Sequence, residues 1–398
     1  MSPLNGNVKM SPHGDIHVES EGTATSGCHR PIGEGEPGVC QSRGAARSVA
    51  SADQTPQSAL SARQRSGSGT RQSRAAQPPR RLPDPVRQRI LRLARTRYVG
   101  FNDHHLCEKL TEQEGCSLSR ETLRRLLRSA GLGSPRKRRA PAHRQRRLRA
   151  ARQGELVLLD GSPHDWLEGR GPGLTALGLQ DDASGRILAA EFFLAETSAG
   201  YFRLLQRLLR RYGVPLAFYG DRHGIFLRND DHWTVEEQLA GQQEPTQFGR
   251  ALQQLGITYI PAQSPQAKGR VERLWGVLQD RLVSELRLAG ARDLPSANRV
   301  LRHFLADYNR RFARTPRQAA QAWRPAPADL SRICAFLHER TVSNHNVVPW
   351  EGRRFQIPPQ PRRFSFAGAK VQLYHGLDGR VSLYYGDTRL EHTNPGGG

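Results

Sequence analysis

Residues 155–160 read ELVLLD: four consecutive apolar residues, Leu156 to Leu159, closed by Asp160. A short apolar run bounded by turn residues reads as a strand. Two more follow, LTALGLQD at 174–181 and ILAAEFF at 187–193, split by glycine-rich turns. Together they predict a three-stranded meander. Beyond it a helix fits 198–211, with Tyr201, Phe202, Leu204, Leu205, Leu208 and Leu209 on its buried side. PLAFYGD (215–221) is a fourth strand, 228–245 is a polar stretch, TQFGRALQQLG (246–256) is a helix and ITYI (257–260) a fifth strand. SPQAKGRVERLWG (264–276) then opens a long helix, with Ser264 able to cap it and Pro265 suited to its first position. The order βββαβαβα describes a mixed sheet flanked by helices.

Three acids stand at telling places in that order. Asp160 ends the first strand, Asp221 follows the fourth, and Glu272 lies about two turns into the long helix, one turn after Lys268. Such carboxylates can converge at one edge of a sheet. Without a cation they would repel one another, and at least one would be driven to hold its proton. Hard oxygen donors suit Mg²⁺ or Mn²⁺. Two such ions about 3.5–4 Å apart can hold the attacking and leaving oxygens of an in-line phosphoryl displacement. Lys268, Arg270 and Arg273 would then hold substrate phosphates. The plainer reading makes Asp160 and Asp221 strand-end turn formers and leaves Glu272 on a solvated face. On the residues alone both readings stay open.

The chain has 398 residues, room for two or three domains with a sizeable core. Its formal charge is +23, from 60 Lys and Arg against 37 Asp and Glu, which points to a nucleic-acid partner. The basic stretches carry no strongly apolar helix face, and no apolar run of 18 residues exists, so neither a membrane surface nor a span is expected. No secretory signal is legible, and Cys28, Cys40, Cys107, Cys116 and Cys334 form no CxxC pair. Free thiols in a reducing, cytoplasmic setting are expected, with no zinc site and no small-molecule cofactor.

The basic charge is concentrated. Residues 84–150 hold 18 Lys and Arg against 6 Asp and Glu. Within 84–131 three short helices are expected: one from Pro85 ending before Gly100, one over 104–113, and one capped by Ser119. In the last, Leu123, Leu126 and Leu127 face inward, and Arg120, Arg124, Arg125 and Arg128 lie largely outside. This suggests a DNA-binding helix-turn-helix unit, the plainer reading being a three-helix bundle with a solvated basic face. Residues 132–152, with Arg136, Lys137, Arg138 and Arg139, read as a basic linker that tracks phosphates. Residues 1–80 show no sustained period, and disorder is expected there.

LLDGSPHDWLEGRG, YGDRHGIF, PTQFGRALQQLGI and SPQAKGRVERLWGVLQDRLVSELRLAG resemble the bacterial insertion-sequence transposases of ISNCY type, within the superfamily sharing the retroviral-integrase catalytic core. The resemblance spans about 84–390. It implies a ribonuclease-H-like core over 153–325 and a DDE triad at Asp160, Asp221 and Glu272. It also implies cleavage of an element's ends and joining of the freed 3′ ends to target DNA, by an oligomer that handles two ends together. Two departures stand out. The last two acids are separated by 50 residues, more than in the commoner DDE pattern, and the hydrophilic stretch 228–245 suits an inserted loop. Relatives also carry a further helix-turn-helix before residue 84, where this sequence shows no helical period. An out-of-frame segment over 1–80 would account for that.

Asp165, Trp166, His164, His223, Asp181, Asp182 and Trp275 are read first as structural residues. SANRVLRHFLADYNRRFARTP (296–316) reads as a helix, and short strand-like runs from 342 onward predict a small β-barrel over 340–392. Two rivals to the transposase are a catalytically inactive relic that still occupies the element ends, and a nuclease of the same fold that cuts without joining.

Overall fold

The computed structural model describes residues 8–10, 16–18, 82–133, 148–228, 230–262, 269–361 and 363–393. The chain divides into two compact units, Met1–Glu19 with Pro85–Gly398, and Ser20–Asp84. Every contact discussed below lies within the first. Two short strands, β1 (Val8–Met10) and β2 (Ile16–Val18), pair antiparallel in the stretch expected to carry no order.

The three helices before the core are α1 (Asp84–Arg95), α2 (Asp103–Glu112) and α3 (Arg120–Ser129). Ser119 caps α3 as its position predicts, its hydroxyl accepting the Thr122 N–H at 3.1 Å. Leu123, Leu126 and Leu127 are buried with Ile90, Leu106 and Leu110.

The central domain contains β3 (Leu156–His164), β4 (Leu174–Asp181), β5 (Ile187–Phe193), α4 (Ser198–Tyr212), β6 (Ala217–Gly220), α5 (Val235–Ala240), α6 (Gln247–Gln254), β7 (Thr258–Pro261), α7 (Gly269–Leu288) and α8 (Leu294–Phe312). The strands form one mixed sheet in the order β5-β4-β3-β6-β7. β3, β4 and β5 are antiparallel neighbours, whereas β6 and β7 run parallel to β3. Period-2 alternation separates the two faces. Leu156 and Leu158 belong to a core shared with α7 and α8, through Trp275, Leu278, Leu282 and Leu301. Val157 and Leu159 belong to one shared with α4 and α6, through Phe202, Leu205, Phe248 and Leu252. Burial on both faces is the physical reason that ELVLLD is apolar throughout.

The stretch 228–245 contains more structure than a loop. Thr234 and Glu237 form a reciprocal capping box at the start of α5. Glu237 is buried and also pairs with Arg228.

The C-terminal region differs from the expected barrel. A short helix, α9 (Leu330–Ile333), leads into β8 (Phe336–Thr341), a strand that the expectation from residue 342 onward did not include. β9 (Val347–Trp350) and β10 (Arg353–Gln356) form a two-stranded ribbon. β11 (Lys370–His375), β12 (Val381–Tyr385) and β13 (Thr388–Leu390) join β8 in an open sheet ordered β13-β12-β11-β8. Among the described residues no ladder joins β13 back to β8, so the sheet does not close. The ribbon covers it instead, burying Val348 and Phe355 with Val371, Leu373 and Leu383.

Candidate active site

β3 and β6 run side by side for only three rungs, the last pairing Leu158 with Tyr219. Beyond it β3 stays paired to β4 alone as far as His164, and the two parallel strands part. Pro163 fits there because its strand has a neighbour on one side only. Asp160 lies two residues past the last rung on β3, and Asp221 two residues past it on β6. The crevice outside the carboxyl ends of parallel strands is where open α/β sheets bind ligands. Alternation puts Leu156, Leu158, Ala217 and Tyr219 on the α7 side of the sheet. Continued past the rungs, it puts both aspartates on that side too.

Hydrogen bonds hold the two acids. Asp160 Oδ2 accepts the indole N–H of Trp275 at 2.9 Å. Asp221 Oδ1 accepts the His223 backbone N–H at 3.0 Å, and its carbonyl accepts the Tyr259 hydroxyl at 2.6 Å. Burial, followed by the negative charges of Asp221 and Asp160, raises the Tyr259 hydroxyl well above the usual tyrosine range. Tyr201 is raised in the same way, first by burial, then by Glu196 and the same two aspartates. Both hydroxyls are thus raised by the same two carboxylates.

Glu196, which also raises Tyr201, is an acid that the sequence did not single out. Its Oε1 accepts the Tyr201 hydroxyl at 2.6 Å, and it packs so closely on Gly161 that a Cβ there would stand 2.6 Å from Oε2. No local pattern connects a turn glutamate with a strand glycine so far away in sequence.

Glu272 is exposed on the first turn of α7, three residues ahead of Trp275. Among the described residues no group of three His, Cys, Asp or Glu side chains is gathered closely enough to hold a metal ion. The donor chemistry of Asp160 and Asp221 suits a hard divalent cation, and both acids follow the point where β3 and β6 part.

The cations divide into several groups. Lys268, Ser264, Pro265, Arg136, Lys137, Arg138 and Arg139 lie outside the described residues. Arg273 is exposed and donates from Nε to the Gly269 carbonyl at 2.8 Å. Arg270, expected on phosphate, instead meets the buried Asp182 at 2.5 Å, because that carboxylate is deep in the β4–β5 turn and needs a counter-charge. Asp182 also accepts the Ala150 N–H at 2.8 Å, so it is the turn residue expected but with an added anchoring duty. On α3, Arg120, Arg124 and Arg125 are exposed, the last two loosely paired with Glu121 at 3.9 and 3.6 Å. Arg128 differs from them: it bridges to Asp103 at 2.6 Å and ties α3 to α2. Trp166 is fully buried and gives its indole N–H to the Ser162 carbonyl at 3.1 Å, a structural role. His223 accepts the Ile225 N–H at 3.2 Å and shapes the turn after Asp221.

No family model matches the chain. It is 38% identical over 306 residues to a Sinorhizobium fredii protein named as a transposase, y4bF, covering 76% of this chain and 65% of that one. The chain thus spans just under two thirds of that relative's length. It is 30% identical over 360 residues to the transposase for insertion sequence IS1202 of Streptococcus pneumoniae, covering 81% of this chain and 75% of that one. Among solved structures it is similar to the HTLV-2 integrase catalytic core domain in complex with magnesium, at 17% identity and a TM-score of 0.28, over 38% of this chain and 86% of that one. The simian T-cell lymphotropic virus intasome in complex with the PP2A subunit B56 gamma gives 14% identity and a TM-score of 0.31, over 77% and 99%.

Proposed function

Because the chain belongs to the insertion-sequence transposases, we propose that it cuts DNA at the ends of an element and joins the freed 3′-OH ends to target DNA, with Asp160, Asp221 and Glu272 as a DDE triad. The observation that carries this reading is the placement of Asp160 and Asp221 each two residues past the last rung joining β3 and β6, Asp160 within β3 rather than at the strand end the sequence suggested, and Asp221 just beyond β6. The meander followed by parallel β6 and β7 supports a ribonuclease-H-like core.

Asp160 and Asp221 would hold a pair of magnesium or manganese ions, joined by Glu272 once DNA is seated. Such ions supply charge stabilisation and an activated oxygen nucleophile for in-line phosphoryl transfer. The protein's own part is positional. Trp275 and the His223 N–H orient the two aspartates. Arg273, which is exposed, and Lys268 lie beside Glu272 in sequence, where they would meet phosphates. In the first reaction a water oxygen bonds to phosphorus as the bond to the 3′ oxygen breaks, and the 3′-OH takes up a proton. In the second, that 3′-OH attacks a target phosphodiester and releases a target 3′-OH. The exposed Arg120, Arg124 and Arg125 suit α3 to a groove, making α1–α3 a helix-turn-helix reader. Two ends must be joined together, so the working species is an oligomer on DNA in the cytoplasm.

A strand-transfer assay tests this reading: a duplex bearing an element end with a free 3′-OH is incubated with plasmid and Mg²⁺. Joined product from wild type and none from Glu272→Gln is expected. Cutting of a second duplex whose element end is still uncut, without joining of the pre-cut one, would make the protein a nuclease. Binding with neither reaction would make it an inactive relic.

A further inference from the structure

α7 is stitched to β3 by two side-chain hydrogen bonds. Trp275 donates to Asp160 Oδ2 at 2.9 Å, and Gln279 Nε2 donates to Ser162 Oγ at 3.2 Å. The spacing of the rungs matches. Four helical residues climb about 6 Å, and two strand residues about 6.6 Å, so the same helix face follows the same strand face. A third contact limits where the indole can lie. Gly178 pairs with Asp160 across β3 and β4, and a Cβ there would stand 3.0 Å from Trp275 Cη2. The indole thus lies over the glycine opposite Asp160 and reaches that acid with its N–H. Glu272 is one turn back on the same helix.

From this geometry we propose that Trp275 is a positioning residue of the site, with Gly178 and Gln279 as its supports. It rests on the reading of Asp160 as a metal ligand. The indole N–H occupies Oδ2 and restrains the carboxylate's rotation. Because Trp275 and Glu272 share one helix turn, the same contact sets where the third acid enters. Core packing alone would require an aromatic ring at 275 but not its N–H.

The test uses the full-length chain and Mn²⁺ alone, with free ion followed by electron paramagnetic resonance. The variants are Trp275→Phe, Gly178→Ala, Asp160→Asn and, as a control for general loosening of α7, Leu282→Val. Removing a partner that orients a metal ligand lowers metal affinity by about 10- to 100-fold. Trp275→Phe is therefore expected to weaken Mn²⁺ binding by about 10-fold, Gly178→Ala to weaken it less by displacing the indole, and Leu282→Val to leave it unchanged. If Trp275→Phe does not fold, Gly178→Ala alone decides, since it keeps the indole. Wild-type affinity in Trp275→Phe, or in a folded Gly178→Ala if that is the deciding variant, overturns the positioning role, as does an equal loss in Leu282→Val. A wild type that takes up no Mn²⁺, or an Asp160→Asn variant that binds like wild type, overturns the metal reading and the role resting on it.

Discussion

Asp182 is fully buried and pairs with Arg270, at the start of the helix that carries Glu272. Removing one partner of a buried pair leaves an uncompensated charge and costs about 3 kcal/mol or more. Arg270→Met is therefore expected to shift the urea midpoint well below that of wild type, and an unmoved midpoint would contradict the pairing. Gly154 makes a similar prediction through the backbone. Its φ is +81°, and a Cβ would come 2.5 Å from the Trp323 ring. Strain and overpacking together put Gly154→Ala at about 2 kcal/mol or more of lost stability, read from the same denaturation curve. At this scale the sequence was only partly legible. Asp160 and Asp221 could be picked out because they close apolar runs. The Trp275 contact could not, since an aromatic at helical spacing looks like core. Arg270 looked like a phosphate ligand because its partner is 88 residues away in sequence.

Among the elements, the contact between the three-helix unit and α7 has its own pH dependence. Glu285 on α7 meets His105 and Lys109 of α2, both at 2.7 Å, and Arg281 on α7 meets Glu108 at 2.7 Å. Burial works against ionisation of both glutamates. For Glu285 the His105 and Lys109 hydrogen bonds prevail, and for Glu108 those from Arg281, holding each below its ordinary 4.5. A carboxylate with a depressed folded value stabilises the fold above its unfolded value, and the contribution is lost as pH falls through the folded one. The melting temperature should therefore fall steeply below about pH 4.5, and Glu285→Gln should flatten that acid limb. An acid limb unchanged by the substitution would contradict the assignment. Most elements here were legible because apolar runs and capping residues mark them locally. β8 was not, for FLHERT is half-buried over its first three residues, exposed at Glu339 and Thr341, and shows no clean alternation. Barrel closure was misjudged because it depends on which strands pair, which no single run encodes.

Over the whole molecule, a charge of +23 would make the proposed DNA binding salt-dependent. If α3 faces phosphates, replacing both Arg124 and Arg125 by alanine should lower the slope of log affinity against log salt by about 2. An unchanged slope would move the DNA surface elsewhere. The proposed chemistry rests on the crevice where β3 and β6 part. It is tested most directly by Mg²⁺-dependent cleavage of DNA carrying the element's ends, comparing wild type with Asp221→Asn while DNA binding is followed in parallel. Cleavage by wild type, and its loss in the variant with binding retained, are expected. Cleavage by Asp221→Asn at the wild-type rate would contradict this expectation.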